Sequence, residues 1–183
     1  MTTCDACATT LYLRDNGFLN AGSAGEMHTG PMLIKIGDTV RIDGGVFDII
    51  GHARFDYGPG WWDEFYAIDG AGKGAWVSVD EGEVILQRPV SETLTGTPRA
   101  APQLGATFRV NGYTYRVTER DTATCIAVRG EFPETLTVGE VYNFINARNP
   151  YSEVLSGEFS ADGVQWFIGK WIDPFEIKVD RAA

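Results

Sequence analysis

Two short segments constrain the fold more than any other feature of the chain. IGDTVRIDG at 36–44 and LGATFRVNG at 104–112 share the pattern Gly-x-Thr-x-Arg-aliphatic-Asp/Asn-Gly. Gly37, Thr39, Arg41 and Gly44 are matched by Gly105, Thr107, Arg109 and Gly112 at a constant offset of 68 residues. Each segment alternates in polarity and then reaches Asp-Gly or Asn-Gly, the strongest short-range signal for a β-hairpin. A second pair follows in the same order. DEFYAIDGAGKGAW (63–76) and GEFSADGVQW (157–166) both read Glu-Phe, a short stretch, Asp-Gly and then Trp. Two motifs recurring in one order point to an internal duplication.

The rest of the chain reads the same way. GAWVSVDEGEVILQR is a further hairpin turning at Glu81-Gly82, and the 22 glycines suit many short strands joined by turns. The only helix candidate is VGEVYNFINARN. Residues 88–103, RPVSETLTGTPRAAPQ, hold three of the eight prolines and little apolar periodicity, so they read as a linker. The expected fold is all-β with little helix: a degenerate zinc-ribbon-like segment at 1–31, a first β unit at 32–88, a linker at 89–103 and a second unit at 104–183. Each unit is a small SH3-like barrel. Units of this size bury too little surface alone, so the two are expected to pack into one body.

Charge excludes several partners. Asp plus Glu is 25 against 15 Lys plus Arg, a net charge of -10, so a polyanion such as nucleic acid is repelled. No apolar run approaches the ~20 residues of a membrane span. MTTCDACATT has neither the basic start nor the apolar stretch of a signal peptide, so a cytoplasmic protein is expected. An acidic surface suits a basic protein partner or a small cation.

The stretch GPGWWDEFYAID (59–70) holds the candidate site. Alternate residues of a strand face opposite sides. The match of Phe65 with Phe159 and of Glu64 with Glu158, the latter flanked by Ser156 and Ser160, assigns the phenylalanine side to the core. Trp61, Phe65 and Ala67 are then expected inward, with Asp63 an awkward companion. Trp62, Glu64 and Tyr66 are expected to face solvent as a recognition row, extended by Glu158. Aromatic faces and carboxylates together attract amines or guanidinium groups. Trp76 and Trp166, matched across the repeat, are assigned to the core, as is Cys125.

Catalytic candidates are few. There are two histidines, His28 and His52, no Gly-x-Ser-x-Gly elbow and no phosphate-binding loop. No catalytic residue is assigned, and the first reading is a non-enzymatic binding or assembly module. The alternative is a hydrolase-type enzyme in which Glu64 and Glu158, aided by Glu119, split their pKa values as acid and base, with or without a divalent metal. A third alternative rests on Cys4 and Cys7, a Cys-x-x-Cys knuckle with His28 as the next soft ligand. No cofactor is expected otherwise; two chains sharing one structural zinc would make a homo-oligomer.

The segments IGDTVRIDGGVFDIIGHARF, WWDEFYAID and AWVSVDEGEVIL resemble the bacterial family known as domain of unknown function 4178. Trp62, Glu64, Tyr66 and Trp76 match its Trp-x-Glu-x-Tyr strand and following Trp. YRVTERDTATCIAVRGEFPETLTVGE and SEVLSGEFSADGVQWFIG are similar to its second half through Glu119, Gly130, Pro133 and Glu158. The resemblance spans roughly residues 33–178. It implies a β-rich protein, often preceded by a zinc-ribbon-like segment, of which this sequence keeps Cys4 and Cys7. It implies no particular activity.

Overall fold

A computed structural model describes residues 25, 27, 32–90, 95–160 and 163–181 in full. It also gives the backbone of three N-terminal strands, β1 (Thr2–Thr3), β2 (Thr9–Arg14) and β3 (Gly17–Ser23), which form a small antiparallel sheet. Cys4, Cys7 and His28 lie outside the described residues. The main sheet holds β4 (Thr39–Ile42), β5 (Gly45–Asp56), β6 (Trp61–Asp69), β7 (Gly74–Asp80), β8 (Glu83–Pro89), β9 (Thr107–Val110) and β10 (Tyr113–Gly130). It continues with β11 (Val141–Arg148), β12 (Glu153–Ser160), β13 (Gly163–Ile172) and β14 (Lys178–Asp180). The described residues contain no α-helix, and no helix is long and apolar enough to cross a membrane.

The two matched hairpins fold alike. Asp43 (φ 52°) and Gly44 (φ 73°) turn β4 onto β5, and Asn111 (φ 49°) and Gly112 (φ 85°) turn β9 onto β10. Two successive positive φ values make a two-residue turn whose twist matches the strands it joins. Glu81-Gly82 likewise turns β7 onto β8.

Eight strands, in the order β5-β6-β7-β8-β13-β12-β11-β10, close into an antiparallel barrel through a β5–β10 pairing. The closure uses the far ends of the two longest strands. The first part of β5 pairs with β4, and then Phe55 to Gly51 pair with Cys125 to Gly130 of β10. Register shifts at Ile49/Gly51 and Cys125/Ala127 bend both strands there. Gly51 and Gly130 are register partners. A Cβ on Gly130 (φ 78°) would stand 2.2 Å from the Ile50 carbonyl oxygen, and one on Gly51 would stand 2.3 Å from that of Glu131. Glycine at both places lets the backbones meet.

Both faces of the barrel wall are covered. Outside β5–β8, Val40, Ile42, Phe47, Ile49, Phe65, Ala67, Val77, Val84 and Leu86 pack with Ile34, Ile172 and Ile177. Outside β10–β13, Val110, Tyr115, Val117, Ile145, Ala147, Leu155 and Trp166 form a second core. A third core fills one end of the lumen. There Ala53, Phe55, Trp76, Ala123, Cys125, Val128 and Phe167 meet Phe132 and Leu136 from the loop between β10 and β11. Cys125 is fully buried, and burial pushes its thiol up to about 12. Trp76 and Trp166 are buried as expected, at 6% and 8% exposure.

Two expectations are corrected. VGEVYNFINARN is not helical: Val141–Arg148 is strand β11. Its alternation puts Ile145 and Ala147 in the outer core, while Phe144, Asn146 and Arg148 line the lumen. Trp61 is not inward: it is 55% exposed, with the Arg54 guanidinium 5.6 Å from its ring. Phe65 and Ala67, at 1% and 0%, are core as expected. Phe65→Ala is therefore expected to cost ~3–5 kcal/mol in urea unfolding, as core aromatic truncations do. Trp61→Ala should cost less than about 1 kcal/mol. Equally large losses would mean that Trp61 is packed in the core beside Phe65.

Candidate functional site

The lumen above the third core holds a partly open cavity of 310 Å³. An eight-stranded barrel has an interior that side chains just fill or that holds one small ligand. Here seven of the eight strands line the cavity, mostly with polar side chains, while β5 turns Ala53 and Phe55 inward. β6 supplies Trp62 and Glu64, β7 Ser78 and Asp80, β8 Glu83, Ile85 and Gln87, and β10 Thr118 and Glu119. β11 supplies Phe144, Asn146 and Arg148, β12 Ser156, Gly157 and Glu158, and β13 Trp171.

Trp62, Glu64 and Tyr66 were expected to face bulk solvent, and this is corrected. Trp62 is partly buried among Phe55, Tyr57 and Phe144, with ring centroids 5.3, 5.8 and 5.2 Å away. Its indole N–H donates to Glu64 Oε1 at 3.0 Å, while Glu64 Oε2 is buried with no hydrogen-bond partner. Tyr66 lies off the cavity lining, its ring 5.1 Å from Trp76. The polar face of the strand is wet only in the sense that it faces an internal cavity. A hairpin phase separates the two faces of a strand; it does not say that the second face is wrapped into a lumen.

The structure brings Glu64 and Glu158 together. Both line the main cavity and a smaller one of 20 Å³ at its floor, with Glu134, Leu136 and Tyr142. Burial pushes Glu64 up to about 7, against the hydrogen bonds of Ser78 and Trp62, and Asp63 adds to the rise. Burial and then the charge of Glu64 push Glu158 up to about 8, with Glu134 contributing. Asp80 is also raised, by burial and by Glu81, Glu119 and Glu83, and its Oδ1 is buried without a partner. Glu119 is better satisfied: Asn146 Nδ2 donates to it at 2.7 Å, and Asn146 Oδ1 accepts from Ser156 Oγ at 2.7 Å.

A family model described as "Domain of unknown function (DUF4178)" matches residues 35–174. The chain belongs to that family. All the lining residues of the DUF4178 barrel cavity fall within the matched span. No curated protein and no solved structure matches the chain.

Several lining residues of the DUF4178 barrel were not singled out from sequence. Ser78 and Asp80 carry a signal in the alternation of AWVSVD, where they share a phase with Trp76. Asn146 and Arg148 share a phase with Phe144, which a helical reading of that segment hides. Trp171 has no signal beyond its residue type. Among the described residues no group of three or more His, Cys, Asp or Glu is arranged to hold a metal ion. His52, read as an ordinary strand residue, is buried on the outer face of the wall, where its Nε2 lies 2.7 Å from Asp63 Oδ1.

The raised carboxyls fix a pH dependence. In the unfolded chain these glutamates release their protons near pH 4.5, while in the folded barrel they hold them to about 7 and 8. The folded state binds more protons between those limits, so stability falls as pH rises from about 4.5 to 8. Glu64→Gln and Glu158→Gln remove this term. Each variant is expected to match the wild type near pH 4.5 and to melt several degrees higher, on the order of 5 °C, at pH 8.5. A constant offset across that range in calorimetric scans would contradict the assignment.

Proposed function

We propose that the DUF4178 barrel is a non-enzymatic binding domain that takes a small cationic ligand in its lumen. The observation that carries the reading is the Glu64–Glu158 pair, enclosed with aromatic walls and holding a buried oxygen that no protein group satisfies. Five carboxylates (Glu64, Asp80, Glu83, Glu119 and Glu158) line the cavity against one guanidinium, Arg148. An amine or guanidinium between Trp62 and Phe144 would gain charge pairing and ring contact in a site shielded from water, where such interactions are strongest. The small volume of the cavity favours a small cation over a protein segment. A net charge of -10 adds long-range attraction for it. The reading is of a cytoplasmic protein, in keeping with that acidic balance.

Binding of a cation should draw protons off the glutamates. Affinity for n-alkylamines and alkylguanidines is therefore expected to rise between pH 6 and 8, by up to about tenfold per pH unit for each proton released. Isothermal titration calorimetry in buffers of different ionisation enthalpy reads the released protons directly. Glu64→Gln should reduce the release to the share of Glu158 and remove most of the affinity. A pH-independent affinity, or none for any cation of this size, would end the reading.

The same pair supports a second reading, acid–base catalysis, because two coupled carboxyls titrating at about 7 and 8 are poised near neutrality. Chemical turnover of a bound cation, lost in both Glu64→Gln and Glu158→Gln while binding persists in one of them, would favour it.

A further inference from the structure

The lumen is not uniformly acidic. Arg148 lies on β11, four residues beyond Phe144, and Phe144 is the register partner of Glu158. At ~3.3 Å per residue, the backbone of Arg148 therefore stands about 13 Å along β11 from the position opposite Glu158. Its guanidinium carbon is 4.2 Å from the centroid of the Trp171 ring. Arg148 makes no ion pair among the described residues, although four further carboxylates line the same cavity as Glu64. Beneath it, Trp171 Nε1 is a buried donor with no hydrogen-bond partner. Away from it the unpartnered buried atoms of the cavity are acceptors, Glu64 Oε2 beside Glu158 and Asp80 Oδ1 near Glu119 and Glu83. The two ends thus ask for opposite things. One wants a hydrogen-bond donor with positive charge, and the other wants an acceptor with negative charge.

Stacking on Trp171 holds the guanidinium plane and leaves its edge N–H groups available for a planar anion. A carboxylate there would take charge-assisted hydrogen bonds from Arg148 and one from the indole. A simple amine would leave the indole N–H unpaired and meet the repulsion of Arg148. A buried polar group left unpaired disfavours the ligand that fails to satisfy it.

We infer that the ligand is amphoteric, an ω-amino carboxylate whose ammonium group sits between Glu64 and Glu158 and whose carboxylate sits on Arg148 and the Trp171 N–H. The inference rests on the cation-binding reading above and names its ligand class. The backbone offset along β11 suits an ω-amino carboxylate, whose charges stand further apart than those of an α-amino acid.

The test uses the full chain and three probes of equal length, n-pentylamine, 5-aminopentanoate and pentanoate, titrated by calorimetry at pH 8. 5-Aminopentanoate is expected to bind at least about tenfold more tightly than n-pentylamine, and pentanoate not measurably. Arg148→Met keeps much of the stem and removes the charge. It should weaken 5-aminopentanoate at least about tenfold and strengthen n-pentylamine, because a repulsive charge has gone. Trp171→Phe keeps a ring under Arg148 but removes the donor, and should weaken only the amino acid. Thermal melts confirm that both variants are folded. If n-pentylamine binds as tightly as 5-aminopentanoate, or Arg148→Met weakens both alike, the amphoteric inference falls and the cation reading stands. If neither amine binds, both fall.

Discussion

The architecture depends on one backbone contact, the pairing of residues 51–55 with 125–130. Without it, β4 to β14 would be a long open sheet with two edges to protect. With it, eight strands close and an interior exists at all. The contact is possible because two strands long enough to serve two partners are bent at their bulges, and because glycine stands on both sides of the tightest approach. Closure also joins the two halves of the chain, since β5 and β10 belong to different ones. Whatever held β4–β8 and β9–β13 as separate units, their lumen is shared.

Closure explains why neighbouring acids on β6 behave oppositely. Asp63 points to the outer face. Burial alone would raise its pKa, but hydrogen bonds from His52 and from Arg54, at 2.7 and 2.8 Å, together with their charges, hold it below the usual carboxylate range. Arg54 reaches both carboxyl oxygens, Nη2 lying 3.1 Å from the second, and His52 stacks on Phe65. Glu64, one residue on, points to the lumen and has no cation beside it. Desolvation goes uncompensated there, and its pKa rises to about 7. The outer network pins β6, and so sets where Glu64 enters the cavity.

Much of this is legible in the sequence, and the limit has a physical cause. The hairpins were readable because Asp-Gly and Asn-Gly select one turn geometry, and the dry side of β6 was readable because Phe65 and Phe159 share a phase. The pairing of Glu64 with Glu158 was within reach as matched positions. Their environment was not, because alternation distinguishes two faces without saying whether the polar one meets bulk water or a closed interior. That distinction depends on β5 meeting β10, a contact between residues about 75 apart in sequence, and no local pattern encodes it. Asp63 was awkward on the inner face only while its partners were unknown. β11 misled for a related reason: Val141–Arg148 is amphipathic by alternation, with a lumen side of aromatic and polar groups that does not look like a strand's solvent face.

The arrangement in the lumen is poor for stability. Filling the interior with apolar side chains would bury the same area without leaving Glu64 Oε2, Asp80 Oδ1 and Trp171 Nε1 unpaired, and each such atom costs about 1–3 kcal/mol. Buried ionisable groups are commonly replaced by hydrophobic ones without loss. The three outer and inner apolar cores show that this chain packs hydrophobic residues tightly where it can. Among the described residues four buried polar side-chain atoms lack a partner: three of them, on β6, β7 and β13, line one cavity, and the fourth, Trp166 Nε1, lies outside it. A shared cavity that leaves acceptors on Glu64 and Asp80 and a donor under Arg148 suits the amphoteric ligand proposed above.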